Sequence, residues 1–406
     1  MIRYLDKDEY GKCIPLWKEA FPEDSEEFLD YYFGKKISDS QVIVKEDEGG
    51  KLLTMAHLNP YKVRVGGRMY VLPYIVGVAT AADTPFCYLM PASPDIYRPF
   101  GFVYIFDQPV WTLREDAAKG MQVIGLRLDG AAEAAGEAVA DVAAAEMAYT
   151  GTANGHAAHN GSPAAGGMDL ADWMDRWLNG RFQVYAERDS AYLQMLQAEL
   201  DSEDGQVYGY LDGQGKLAAL RAVWGKEKQE QRFLYCNRDE WVGTPEGLPA
   251  SKPAIMARIT DVAAMAEAIS VNEDCPCPRM EVLIRIKDRL VDGNHGLWRW
   301  RLGRDGSRLE RIKGIGAMEG IGSMESSKSM EGSGSMEVFG TMEGPGTEEG
   351  DTLVSTEVLE LTIEQLTAWL LGYRALDAVT ESDSGEIPYW WRFVRPLRGV
   401  FLDEVV

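Results

Sequence analysis

Two pairs of side chains have the spacing of metal ligands. His156 and His159 lie close together in "GTANGHAAHNGSPAAGG", and Cys275 and Cys277 flank a single proline. A structural zinc site needs four nitrogen or sulfur donors. The histidines have no thiolate or carboxylate company nearby, and no second cysteine pair exists. The histidines therefore read as linker residues and the cysteines as structural, so no metal is expected. A second chemistry is phosphate binding, which needs glycines leading into a helix N-terminus. "GGR" at 66–68 sits in a hairpin and "GTANG" at 151–155 lies in a linker. Neither opens a helix.

A third feature is an omission. In "YIVGVATAADTPFCYLMPA", Tyr74–Ala92, two β-branched or apolar runs read as buried strands. Only Ala81–Pro85 separate them. Parallel neighbours normally need a crossover of about a dozen residues, usually a helix. Five residues at about 3.3–3.6 Å each reach roughly 20 Å. The spacing predicts either a hairpin or a taut, helix-free crossing, and in both cases no room for a phosphate.

The elements that would position these residues fall into three blocks. In the first, "MIRYL" is a strand, Tyr10, Ile14, Trp17 and Phe21 recur at helical spacing, and Ser25 is placed to cap a second helix. "QVIVKED", "LLTMAHLNPYKVRV" and "MYVLPYIVGVAT" form a meander through "EGGK" and "GGR" turns. "SPDIYRPF" reads as a short helix capped by Ser93, followed by the strands "GFVYIFDQPVWTL" and "MQVIGLRLD". Residues 130–168 are Ala- and Gly-rich with no apolar stripe, and read as a flexible linker.

The second block, 169–250, repeats the plan with two helices and three strands. Gln41-Val42, Asp47 and Gly50-Lys51-Leu52 fall on Gln206-Val207, Asp212 and Gly215-Lys216-Leu217 at one constant offset. Matching element order makes an internal duplication the better reading. The third block, 251–406, opens with a strand and helix over "SKPAIMARITDVAAMAEAI" and continues with three strands. Its last helix begins with a Thr362–Gln365 capping box. A Met-Glu-Gly repeat interrupts it within 314–350; its Gly and Ser content cannot bury enough surface to order itself.

Composition narrows the function. The hydrophobic share of 46% and aromatic share of 10% belong to a folded chain, and the charge of −23 argues against nucleic acid and anionic membranes. Five cysteines are too few and too odd for a disulfide framework. The charged "MIRYLDKDEYGK" start and the lack of a long apolar stretch make the cytoplasm the expected location, with no membrane span.

Strand, two helices, meander, strand, helix and strands is the order of GCN5-related N-acetyltransferases (GNATs). "YIVGVAT", "YLMPASPDIYRPFGF", "WMDRWL", "FLYCNRDEW", "KPAIMARITDV" and "VFLDEVV" together resemble the enhanced-intracellular-survival (Eis) acetyltransferases, over nearly the whole chain except the linker and the repeat. The resemblance implies an α/β (α+β) fold. Residues 1–129 would be a first GNAT domain, 169–250 a second, degenerate one, and 251–406 a sterol-carrier-protein-like (SCP2-like) domain. It implies acetyl transfer from acetyl-CoA to a primary amine, of a small molecule or a lysine-bearing substrate. It also implies a homo-oligomer, with a hexamer among the family's forms.

In that family a basic, glycine-rich loop and a long helix follow the strand matching "VGVAT" and hold the cofactor's pyrophosphate. Here the chain passes directly on. By resemblance the base is the C-terminal carboxylate of Val406, ionised at neutral pH because such groups have a pKa near 3.3–3.7. The family's acid is a tyrosine where this chain has Phe102, and Tyr104, two residues along a strand, is the substitute candidate. Val78, Ala79 and Thr80 would meet the pantetheine arm, and Tyr97 and Arg98 lie at positions near the coenzyme. The alternative is a catalytically impaired descendant that acts in binding or assembly.

Overall fold

The computed structural model describes residues 2–22, 24–47, 49–76, 84–130, 169–226, 228–312, 352–380 and 387–404. The linker, the Met-Glu-Gly repeat, His156, His159, Val78, Ala79, Thr80 and Val406 lie outside them.

The first sheet is built from β1 (Ile2–Tyr4), β2 (Gln41–Glu46), β3 (Leu52–Val65), β4 (Arg68–Val76) and β5 (Phe86–Leu89). The meander is antiparallel, as the turn residues predict. Val42 and Val44 on β2 pack under the helices Ile14–Ala20 and Glu26–Gly34 with Trp17, Phe28 and Tyr32. Ser25 caps the second helix as expected, its Oγ accepting from the Phe28 N–H at 3.0 Å. Ser93 does not act alike: the helix Pro94–Tyr97 starts without a side-chain cap.

Between β4 and β5 the structure decides against a hairpin. The strands run parallel and share one paired position, Tyr74 with Tyr88. Nine residues separate the two strands in the sequence, fewer than an ordinary helical crossover takes.

The sheet continues through strands from later in the chain. After β6 (Val103–Pro109) and β7 (Thr112–Leu113), β8 (Gln122–Leu126) leaves for a second sheet. β9 (Val184–Ala186) pairs with β3. The second sheet takes the order β12-β11-β10-β8, with β10 (Gln206–Leu211), β11 (Leu217–Trp224) and β12 (Glu230–Cys236). Its first turn reproduces that of the first block. Asp47 Oδ1 accepts from the N–H of Gly49 and Lys51, both at 2.9 Å, and Asp212 Oδ1 accepts from Gln214 and Lys216 at 2.9 and 3.0 Å. Gly50 and Gly215 both take positive φ, 80° and 74°, which favours glycine at that place.

After the small β13 (Val242–Gly243), β14 (Ser251–Ile259) returns to the first sheet and lies between β5 and β6, antiparallel to both. The sequence places this strand at the head of the third block. Its run from Ala254 to Ile259 is buried throughout because both faces are covered, Ile255, Ala257 and Ile259 entering one core cluster and Met256 another. Arg258 is the polar exception: its Nε donates to the Phe100 carbonyl at 2.7 Å and its guanidinium pairs with buried Asp288 at 2.6 Å. Gly101, at φ 80°, lets the chain pass this point, where a Cβ would meet Arg258 Nε at 3.1 Å.

The third block forms its own sheet. β15 (Ser270–Val271) precedes β16 (Arg279–Lys287), β17 (Gly296–Gly303) and β18 (Gly306–Arg311), and β19 (Thr352–Thr362) joins parallel to β16. The Thr362–Gln365 capping box forms in both halves. β20 (Val394–Arg395) pairs with β15, and β21 (Val400–Phe401) ends the described strands. Among the described residues, no helix is long and apolar enough to cross a membrane.

One buried group in the first block carries a pH prediction. His57 is fully buried, its Nδ1 is 2.9 Å from the Tyr32 hydroxyl, and among the described residues Nε2 has no partner. Burial pulls its pKa down to about 4 from 6.5. Between those values the folded chain binds fewer protons than the unfolded chain, so stability is present above pH 6.5 and is lost as pH falls toward 4. The loss should be on the order of 3 kcal/mol. Urea denaturation at pH 7 and pH 4 should show a pH slope smaller by that amount in His57→Gln; an equal slope would refute the assignment.

Candidate functional site

The tail from Val400 to Glu404 enters an interior that holds several buried charges, Arg188, Glu199, Arg232, Asp403 and Glu404. β21 pairs parallel with β9, Val400 with Val184 and Phe401 with Tyr185. The Phe401 ring then sits among Phe182, Phe106, Trp177 and Tyr235, at centroid distances of 4.9, 5.5, 5.6 and 5.7 Å. "RGVFLDEVV" is apolar enough to enter a core, and Val400–Leu402 do so. That placement carries Asp403 and Glu404 inside with them.

Two carboxylates in a core require partners. Arg188, between β9 and the helix Ser190–Ser202, supplies them. One nitrogen of its guanidinium donates to Asp403 Oδ1 and another to Glu404 Oε1 at 2.8 Å. Tyr235 donates to Asp403 Oδ2 at 2.9 Å, and Tyr192 to Glu404 Oε1 at 3.3 Å. Arg232 donates to the Asp403 carbonyl and to Glu199 Oε1, both at 2.8 Å. Burial opposes the charge on Arg188, but Tyr192, Tyr235, Asp403 and Glu404 outweigh it and hold the guanidinium protonated. For Glu404 burial wins over Arg188, and its carboxyl is pushed up.

The Glu404 carboxylate acts electrostatically on the tyrosines of the β4–β5 pair. Tyr74 and Tyr88, opposite each other there, have ring centroids 5.4 Å apart, and Tyr61 and Tyr192 extend the cluster. Burial, then Glu404, drives the Tyr88 hydroxyl well above its ordinary pKa, so it stays a donor. Among the described residues it has no hydrogen-bond partner, nor has Glu404 Oε2. Lys36 donates to the Tyr61 hydroxyl at 2.5 Å, and burial lowers its ammonium to about 8 against the pull of Glu199 and Glu404. An unpartnered carboxylate oxygen, an unpartnered phenol and a lysine that partly deprotonates near neutral pH are the groups that proton transfer uses.

The residues expected from the sequence divide differently. Val406, Val78, Ala79 and Thr80 lie outside the described residues. Tyr104 shares a small cluster with Phe102, Tyr97, Ile75 and Cys87, on the face of the sheet opposite Tyr74 and Tyr88. It is not brought to Glu404. Tyr97 is half-buried against Phe102, their rings 6.0 Å apart, and exposed Arg98 pairs with Asp95 at 2.6 Å. Sequence reading missed Arg188, Tyr88, Tyr192, Lys36 and Glu404. The signals were an arginine two residues after the apolar "VYA" and two acids inside an apolar tail.

Comparison with known proteins bears on the fold. The acetyltransferase (GNAT) domain family matches residues 1–84. No curated relative matches the chain. Among solved structures, a GCN5-related N-acetyltransferase from Kribbella flavida is similar with a TM-score of 0.58 at 12% identity, covering 100% of this chain and 98% of its own. A conserved protein of unknown function from Enterococcus faecalis V583, described as a probable N-acyltransferase, gives 0.57 at 13%, with 99% of each chain covered. Eis1 from Mycobacterium abscessus gives 0.54 at 12%, covering 100% of this chain and 99% of its own. The chain is a mixed α/β protein with the GNAT fold. Within that fold the arrangement of the structure is similar, end to end, to that of Eis1.

Proposed function

We propose that the protein is a GNAT-type N-acyltransferase that uses acetyl-CoA and a primary amine. The observation that carries this reading is the meeting of the buried tail carboxylate with the β4–β5 pair of a GNAT sheet. In direct transfer the amine nitrogen attacks the thioester carbonyl, the C–S bond breaks, and the thiolate takes up a proton. Glu404, through Oε2, is placed to accept the proton that the ammonium loses. The Tyr88 O–H is placed to donate toward developing negative charge. The domain reading goes with this proposal: GNAT units over 1–129 and 169–250, and an SCP2-like unit from 251, whose helix Ile363–Leu370 packs against β19 and also against β14 and β6 of the first sheet.

Thiol release from acetyl-CoA, followed with a chromogenic disulfide across a panel of primary amines, tests the activity. Glu404→Gln should lower kcat by about 100-fold or more while keeping the fold, in the range that general acid–base catalysis supplies. An unchanged kcat would remove Glu404 from the mechanism.

One observation favours a second reading, a non-catalytic binding or assembly protein. Residues 77–85 contain one glycine and no basic residue, where the family carries a phosphate loop and helix. Calorimetry with acetyl-CoA separates the two. Binding with turnover supports the enzyme; no binding up to millimolar concentration supports the second.

A further inference from the structure

A cleft of about 190 Å³ opens beside the tail, between β6, the outer strand of the first sheet, and β12, the outer strand of the second. Its walls include Gln108, Arg221, Gln231, Arg232, Lys252 and Asp403. Most of the charge there is already matched. Arg232 and Asp403 belong to the tail network, and Glu230, also at the wall, pairs with Lys228 at 3.2 Å.

Arg221 is different. It is only 9% exposed, and among the described residues its Nε has no acceptor and it forms no ion pair. A guanidinium cannot shed its proton, and burying a cation without a partner costs several kcal/mol. In a chain with 64 acidic and 41 basic residues, a buried arginine that has found no carboxylate is unexpected on surface statistics alone. Gln231, on the same wall, donates Nε2 to the Trp111 carbonyl at 2.9 Å while its Oε1 is unpartnered. Exposed Lys252 also lines the cleft and, among the described residues, forms no ion pair.

We propose that this cleft is an oxyanion-binding site. The Arg221 fork takes the carboxylate or phosphate of a small ligand, a geometry that guanidinium groups match with two parallel hydrogen bonds. Lys252 adds a second positive charge to the lining. Gln231 Oε1 offers an acceptor to an N–H or O–H carried beside the anion. The proposal concerns binding alone and stands whether or not the chain transfers acyl groups.

The test uses the full chain, with inorganic phosphate and succinate as separate probes against chloride at constant ionic strength, read by calorimetry and thermal melting. At least one probe should bind, and the better one tells whether phosphate or carboxylate is the preferred group. Arg221→Met should weaken that binding about tenfold, the equivalent of one charged hydrogen-bond pair. Lys252→Met should weaken it about threefold, and this exposed position keeps the test valid if Arg221→Met fails to fold. Neither probe raising the melting temperature above chloride, or both variants binding as the parent does, would overturn the proposal.

Discussion

Replacing Arg188 by methionine is expected to destabilise the protein by about 3–5 kcal/mol, the usual consequence of removing one partner from a buried ion pair. The cause is not the lost attraction alone. Asp403 and Glu404 would stay in a water-free interior with Tyr235 and Tyr192 as the remaining donors to their carboxylates and Arg232 held on the Asp403 carbonyl. Either the carboxyls take up protons or the tail leaves the core. Urea denaturation at pH 7 measures the loss. Adding Asp403→Asn and Glu404→Gln to the Arg188→Met chain should recover a large part of it, because the charges that lacked a partner are then gone. A single variant within about 1 kcal/mol of the parent would mean that the tail is not held as the structure places it.

The second large effect is expected at Phe401. Truncating a buried phenylalanine to alanine costs about 3–5 kcal/mol, and here the ring contacts aromatic side chains from both sheets and from the helix Leu170–Asn179. Phe401→Leu should cost much less, since it keeps most of the volume. The tail also makes a joint prediction. If Val400–Glu404 docks as one unit, the first substitution releases most of what the second would disturb. Phe401→Ala and Arg188→Met should then combine to clearly less than the sum of their separate costs, the non-additivity expected of residues sharing one element. Full additivity would show two independent contacts instead.

How much was legible follows the range of the interactions. The caps at Ser25 and Thr362 and the paired Asp47 and Asp212 turns depend on residues within four positions of one another, and the sequence showed their places. The tail was readable as core-seeking because "VFL" precedes its acids. Ser93 was misread because a capping residue type does not guarantee that the side chain turns toward the helix.

What the sequence determined by itself is the set of local elements, the turns between them, the shortness of the link after β4 and the apolar character of the tail, since each is fixed by neighbours along the chain. The tertiary structure alone decided that β14 lies between β5 and β6, that β21 adds to β9, and that Arg188 meets Asp403 and Glu404 more than two hundred positions away. Strand pairing and buried charge pairing are chosen by which edges and which unpaired groups the folded core leaves open, and no local pattern encodes that choice.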